Sequence, residues 1–368
     1  MQIQGAVLEQ SGAARPYTRS RPIAVATLQL DPPGPNEILV QIEAAGVCHS
    51  DLSVVDGTRD RPVPILLGHE AAGRVVSVGD GVDDLVEGQR VVMTFLPRCG
   101  ECAACASAGK IPCTLGSRAN AHGVLLGGGF RLHLKKKEIH HHNGVSGFAT
   151  HAVVDRRTVV PVDESVPPAI AAVLGCAVLT GGGAVLNAAQ PAPGDTLMVV
   201  GLGGVGMAAL ITAVSLEGVH VIGVDTSEAK LAIARRLGAS ATYTPAQVAE
   251  HRILATHVVE AAGHPKAFET AFAATEFGGR TVTVGLPAPD ATAAISPLTI
   301  TAQSRTIIGS YLGSAVPSRD IPGFVELWRN GNLPVEQLIT SYTSLEDINQ
   351  AMDTLADGSA LRQMIMFN

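Results

Sequence analysis

The sequence predicts an α/β protein in which a doubly wound parallel sheet domain is joined to a strand-rich antiparallel domain. Three observations predict it. From Thr196 onward, short apolar runs rich in β-branched residues alternate with helical stretches, the pattern of repeated β-α-β units. Before that point the apolar runs are short and separated by glycine-rich turns, as in an antiparallel sheet. The chain has 368 residues, enough for two domains at roughly 150 residues each.

Composition narrows the function classes. Hydrophobic residues make up 46% of the chain, enough for a large core and too many for wholesale disorder. Lys and Arg number 26 against 33 Asp and Glu, and there are only 8 Phe, 4 Tyr and 1 Trp. A nucleic-acid surface needs a basic footprint and usually stacking rings, so that class is disfavoured. The opening MQIQGAVLEQ lacks the basic start and apolar core of a secretion signal, so a cytoplasmic location is expected. Ser165 to Gly194 and Thr196 to Leu216 are free of charged residues and long enough to span a membrane. Their prolines and glycine runs instead favour buried strand-turn-helix units of a soluble protein.

The elements of the second half follow in order. Thr196 to Val200 reads as a buried strand, Gly201-Leu202-Gly203-Gly204-Val205-Gly206 as a tight turn, and Met207 to Leu216 as a helix. A strand from Val219 to Val224 ends at Asp225. In that setting G-x-G-x-x-G is specific: its glycines allow the turn, the approach of backbone to a pyrophosphate and close helix–strand packing. The helix N-terminus holds the phosphates. Asp225 is placed to accept from the adenosine ribose hydroxyls, and its charge would repel a 2′-phosphate, which favours NAD over NADP. Ser227 to Leu237 reads as a helix, His257 to Glu260 as a strand, Pro265 to Glu276 as a helix and Arg280 to Val284 as a strand. In the first half, Ala72 to Val78 and Gln89 to Met93 read as strands.

The six cysteines divide into two groups. Cys99, Cys102, Cys105 and Cys113 form C-x2-C-x2-C-x7-C. Four thiolates at such spacing complete a closed tetrahedral zinc shell, whose role is to fold its loop. Cys48 and Cys176 stand apart, each in a suggestive setting. Cys48 opens Cys48-His49-Ser50-Asp51, His69 lies in Gly68-His69-Glu70, and Cys176 follows Gly175. Two thiolates and an imidazole would make a zinc site with one position free, but spacing alone leaves this open.

These residues together resemble the zinc-containing alcohol dehydrogenases of the medium-chain dehydrogenase/reductase superfamily. The carriers are Gly46 to Asp51, Gly68-His69-Glu70, the four-cysteine lobe, Gly175-Cys176, Gly201 to Gly206 with Asp225, and the segment around Arg362. The resemblance spans essentially the whole chain. It implies a GroES-like catalytic domain at 1–177 and 312–368, holding both zincs, and a Rossmann NAD-binding domain at 178–311. Cys48, His69 and Cys176 become catalytic zinc ligands, a ligand set known for alcohol dehydrogenases. Ser50 takes the alcohol proton, Asp51 orients His69, and Glu70 lies beside the metal. For the cofactor, Gly201, Gly203, Gly204, Val205 and Gly206 cradle the pyrophosphate. His49 and Arg362 contact phosphate, Asp225 and Lys230 the adenosine ribose, and Thr180 the nicotinamide. Phe95 matches an aromatic wall of the substrate pocket.

The implied reaction is reversible hydride transfer between NAD and a primary or aromatic alcohol, with secondary alcohols also open. Two rivals share the sites or the fold: a non-enzymatic NAD-binding zinc redox sensor, and a zinc-independent quinone or enone reductase. Departures from the family pattern are specific. Ser53 stands where some relatives carry a relay histidine, so proton exit runs through water or His49. Gly57, Arg59 and Ser117 disfavour the glutathione-dependent formaldehyde branch. The stretch from Ala239 to Glu260 reads as a trimmed surface loop. Lys135-Lys136-Lys137 and His140-His141-His142 read as a solvated loop and an ordinary strand. The long segment from Thr114 to His142 resembles that of dimeric members, so a homodimer is expected.

Overall fold

The structure is a computed structural model describing residues 1–367. The chain folds into two compact units, Met1–Cys176 with Ile339–Asn368, and Ala177–Leu338.

The first unit contains a closed five-stranded barrel and a seven-stranded sheet. The barrel joins Gln2–Leu8, Ile23–Leu30, Leu132–Leu134, Lys137–His141 and Ile65–Leu66. In the larger sheet the 11-residue strand Glu37–Val47 pairs antiparallel with Ala71–Val78, His151–Asp155 and Arg362–Met366. The predicted strands at 72–78 and 89–93 are Ala71–Val78 and Arg90–Met93. Ile38, Val40, Ile42, Val75, Val91 and Phe148 pack between these layers and are all buried. Closing the barrel removes free edges that would otherwise pair with other chains.

The second unit is a six-stranded parallel sheet in the order Ala241–Tyr243, His220–Val224, Thr196–Val200, Ala255–Glu260, Thr275–Thr283, Thr306–Gly309. The helices Gly204–Val214, Glu228–Arg236 and Pro265–Ala273 follow strands as the alternation predicts. The stretch read as a trimmed loop is ordered. It holds the strand Ala241–Tyr243 and the helix Pro245–Glu250, whose start is fixed by a capping box between Thr244 and Gln247.

The most apolar segment, Pro168–Ala189, is a 22-residue helical stretch buried inside the protein. Pro168 opens it, where a missing N–H costs nothing. The glycine run lies within the helix rather than breaking it. A Cβ on Gly182 would meet Phe324 and Thr212 at 2.6 and 2.8 Å, so this packing has no room for a side chain. The second unit extends beyond the expected border at 311 for a related reason. Asn187 Nδ2 donates to Gly313 O at 3.3 Å and to Asp320 Oδ2 at 3.2 Å, and Phe324 packs on Gly182. Residues 312–338 thereby join the second unit, and the return to the first comes at Ile339.

Candidate active site

In the first unit, the strand Glu37–Val47 runs directly into Cys48, the N-cap of the helix His49–Val55. Asp51, in the first turn, folds back so that its Oδ2 accepts from Cys48 N at 3.0 Å. Its Oδ1 accepts from Gly68 N at 3.2 Å and lies 2.9 Å from His69 Nδ1. One buried carboxylate thus ties the cysteine turn to the histidine turn. Gly68 must turn with φ +92°, against Phe148, for this to happen. Cys176 is placed by Gly175, whose missing side chain lets the helix lie against the backbone of Met93.

These three elements converge. Cys176 Sγ is 3.5 Å from His69 Nε2, and the ligand atoms of Cys48, His69 and Cys176 all lie within 4.8 Å of one another. A tetrahedral zinc with Zn–S of about 2.3 Å and Zn–N of about 2.05 Å has mixed edges of about 3.5 Å. The donors therefore fit zinc, with three protein ligands and one position left for another group. His69 presents Nε2 to the cysteines while Nδ1 is fixed by Asp51, the arrangement that sets tautomer and ring direction in metal sites.

The electrostatics favour one thiolate of the pair: the hydrogen bond with Cys48, together with burial, pushes the Cys176 thiol well up. Cys48 is held well below the usual thiol range, chiefly by the hydrogen bond from Cys176, with Arg362 and His69 adding to it against burial. Burial works against ionisation of Asp51, but His69 and His142 hold its carboxyl at about 2. Glu70 is pushed up to about 7 by burial, with Arg362 opposing.

The four-cysteine lobe also closes on a common point. Cys99 Sγ lies 3.8 Å from Cys105 Sγ, and Cys102 Sγ lies 4.0 Å from Cys113 Sγ. Tetrahedral Zn–S₄ edges are about 3.8 Å. Cys113 Sγ also accepts from the backbone of Cys99 and Gly116, each at 3.3 Å, and Arg98 binds the carbonyls of Ala104 and Cys105. All four positions are filled by the chain, so this centre has no room for chemistry.

In the second unit, Gly201 takes φ +92° and a Cβ there would lie 2.6 Å from Ala262 N. A Cβ on Gly206 would strike the carbonyl of Gly201, and nothing lies within 4 Å of the Cβ position at Gly203. The helix Gly204–Val214 has no side-chain cap, which leaves its first N–H groups for an anion. Asp225 braces this turn: Oδ2 accepts from Leu202 N at 2.7 Å and Oδ1 from Ser227 N at 2.9 Å. Val205 and Lys230 are half-buried, and Thr180 is buried in the helix Leu179–Gly183.

Arg362 is not offered to solvent: it is buried, its Nη1 donates to Val47 O at 3.1 Å, and its Nε lies 3.4 Å from Glu70 Oε1. Ser53 donates to the carbonyl of His49 at 3.0 Å and so serves its own helix. His49 is exposed and Ser50 half-buried. Lys135, Lys136 and Lys137 form an exposed hairpin turn, as expected. The histidine triplet is a strand only in part. His141 and His142 are each 1% exposed, and His142 Nδ1 lies 3.1 Å from Asp51 Oδ1. The strand Lys137–His141 ends one residue earlier, so His142 turns into the core instead of following the strand's alternation. Its place in the site was visible in sequence only as an unusual histidine run. Phe95 lies edge-on to His69, with ring centroids 5.7 Å apart.

Comparison with known proteins agrees with this geometry. A family model described as an alcohol dehydrogenase GroES-like domain matches residues 34–164, and one described as a zinc-binding dehydrogenase matches 204–330. Alcohol dehydrogenase B of Mycobacterium tuberculosis is 32% identical over 361 residues, covering 95% of this chain and 96% of that protein. The crystal structure of benzyl alcohol dehydrogenase from Acinetobacter calcoaceticus is 29% identical, with a TM-score of 0.91 and full coverage of both chains. An alcohol dehydrogenase zinc-binding domain protein from Burkholderia ambifaria has the same identity and TM-score, over 100% of this chain and 99% of that one. With a barrel-and-sheet unit carrying two zinc-shaped centres, a parallel-sheet unit with a glycine turn before an uncapped helix, and these relatives, the chain belongs to the zinc-containing medium-chain dehydrogenase/reductase family.

Proposed function

We propose that this oxidoreductase is a zinc-dependent alcohol dehydrogenase. It would move hydride reversibly between NAD and a primary or aromatic alcohol, giving the aldehyde and NADH, with secondary alcohols as further candidates. The observation that carries the proposal is the three-donor cluster of Cys48, His69 and Cys176 backed by Asp51.

Bound at those donors, zinc would acidify an alcohol hydroxyl and polarise a carbonyl. The remaining work belongs to the chain. Asp51 holds the His69 ring by its Nδ1, and the helix start at Cys48 favours the thiolate. Ser50, half-buried two positions after Cys48, would accept the alcohol proton and pass it to water or to the exposed His49. The turn from Gly201 to Gly206 would hold the pyrophosphate, and Asp225 the adenosine ribose hydroxyls. A catalytic domain bearing two zincs per chain, an NAD domain and a cytoplasmic homodimer complete the proposal. The dimer is supported by the parallel sheet's free edge strand Thr306–Gly309, with Leu298 75% and Phe277 73% exposed in the same unit.

The test is NADH formation from ethanol, a long-chain alcohol, benzyl alcohol and a secondary alcohol. Turnover on any of them supports the reading. NAD binding without NADH from any of them overturns it in favour of a sensor.

A further inference from the structure

We propose that His142 is a positioning residue for the Cys48–His69–Cys176 centre, acting through the carboxylate it shares with His69; this rests on the zinc reading above. Three observations carry it. His142 Nδ1 lies 3.1 Å from Asp51 Oδ1, the same oxygen that His69 Nδ1 faces at 2.9 Å. The two imidazoles meet edge-on, with centroids 5.3 Å apart and planes at 75°. Both rings are 1% exposed and Asp51 is fully buried.

Burying an imidazole without a polar partner is costly. Among the described residues no well-aligned hydrogen bond reaches His142 Nδ1, and the charged group it faces is Asp51, whose Oδ1 lies 3.1 Å away. The ring is also held in place from its own backbone. His142 N donates to Ser146 Oγ at 3.0 Å, and His142 O accepts from Val145 N and Ser146 N at 3.1 and 3.2 Å. Asn143 and Ser146 close this turn with φ of 52° and 54°.

His69 is consequently fixed on three sides, by Asp51 at Nδ1, by Phe95 edge-on and by His142 edge-on. Its Nε2 is left aimed at Cys176. A phenylalanine at 142 would fill the same space and keep the ring contact, but Asp51 would lose a partner. Asp51 would keep Cys48 N, Gly68 N and His69, but its Oδ1 would face an apolar ring on one side, and the hold on His69 would loosen. Partners behind a metal ligand typically change metal affinity by about 10–100-fold when removed.

The experiment compares wild type with His142→Phe and His142→Gln. It measures cobalt(II) affinity by chelator competition and records the visible spectrum of the metal held at each centre. Wild type should take two metal ions per chain. His142→Phe should bind the ion at the open centre about 10–100-fold more weakly, with an altered cobalt spectrum. The four-cysteine centre should keep its ion and so report that the variant is folded. His142→Gln, which restores an N–H near Asp51, should recover most of the lost affinity. Should His142→Phe fail to fold, the side-chain nitrogen resonances of His142 in wild type must still shift when the open centre is loaded. Unchanged affinity and spectrum in His142→Phe, or His142 resonances indifferent to loading, overturn the proposal alone. A wild-type protein that takes up one ion overturns the zinc reading with it.

Discussion

On the proposed reading cofactor choice follows from one carboxylate, and Asp225→Asn tests it. Asp225 has two jobs in this structure. Its oxygens accept from Leu202 N and Ser227 N at 2.7 and 2.9 Å, which braces the glycine turn, and on the proposed reading its charge would face an adenosine 2′-phosphate. Two like unit charges about 4 Å apart at an effective dielectric of about 20 repel by about 4 kcal/mol. That predicts roughly a thousandfold preference for NADH over NADPH in the wild type. Asparagine keeps the shape and removes the charge, so the preference should collapse to about tenfold or less. The brace weakens as well, because charge-assisted bonds of about 1.5–3 kcal/mol become neutral bonds of about 1 kcal/mol, one of them facing an amide N–H₂. NADH itself should bind about tenfold more weakly. Calorimetric titration of both reduced cofactors into both proteins reads all four constants. An unchanged NADH-to-NADPH ratio in Asp225→Asn refutes the reasoning.

Two further predictions concern stability. Asp353, on the helix Ile348–Ala356, accepts from Tyr17 N and Thr18 N, both at 2.9 Å, and faces Arg15, so it caps the Tyr17–Ser20 helix from a distance. Asp353→Ala should cost about 2–4 kcal/mol in that region, read by hydrogen exchange at Tyr17 and Thr18. Burial pushes its carboxyl up, but those partners win and hold it below the ordinary value. The folded state therefore binds that proton less readily than the unfolded one. The contribution is complete above the unfolded carboxyl's pKa of about 4 and is lost as pH falls through the lower folded value. Wild type and variant should converge in acid; a constant gap would contradict the assignment. Cys113→Ser should release the metal of the four-cysteine lobe and open residues 98–113 to protease, while the Cys48 centre keeps its ion. A lobe that stays protected would show that packing, not metal, orders it.

Most of the framework could be read from the sequence because its signals are local. The run Thr196 to Val200, the glycine turn and Asp225 lie within thirty residues of one another, and their chemistry needs that order. The four cysteines are similarly self-contained. The misread features depend on contacts between distant parts of the chain. Ala241–Tyr243 and Pro245–Glu250 are too short for a periodic signal and are held by neighbours in the sheet. The glycines at 181–183 look like a helix breaker until the helix Gly204–Val214 and Phe324 are seen against them. His142 looks like the third residue of an ordinary strand until the turn after it brings it to Asp51. In each case a tertiary contact outweighs the local pattern.

On the proposed function this chain carries one closed and one open zinc centre, and the open one supports alcohol oxidation. The most direct measurement is zinc per chain in wild type and Cys48→Ser, taken on the samples used for NADH formation from benzyl alcohol. The account predicts two zincs with turnover in wild type, and one zinc without turnover but with NAD binding retained in the variant. One zinc in both proteins, or full turnover in Cys48→Ser, would contradict it.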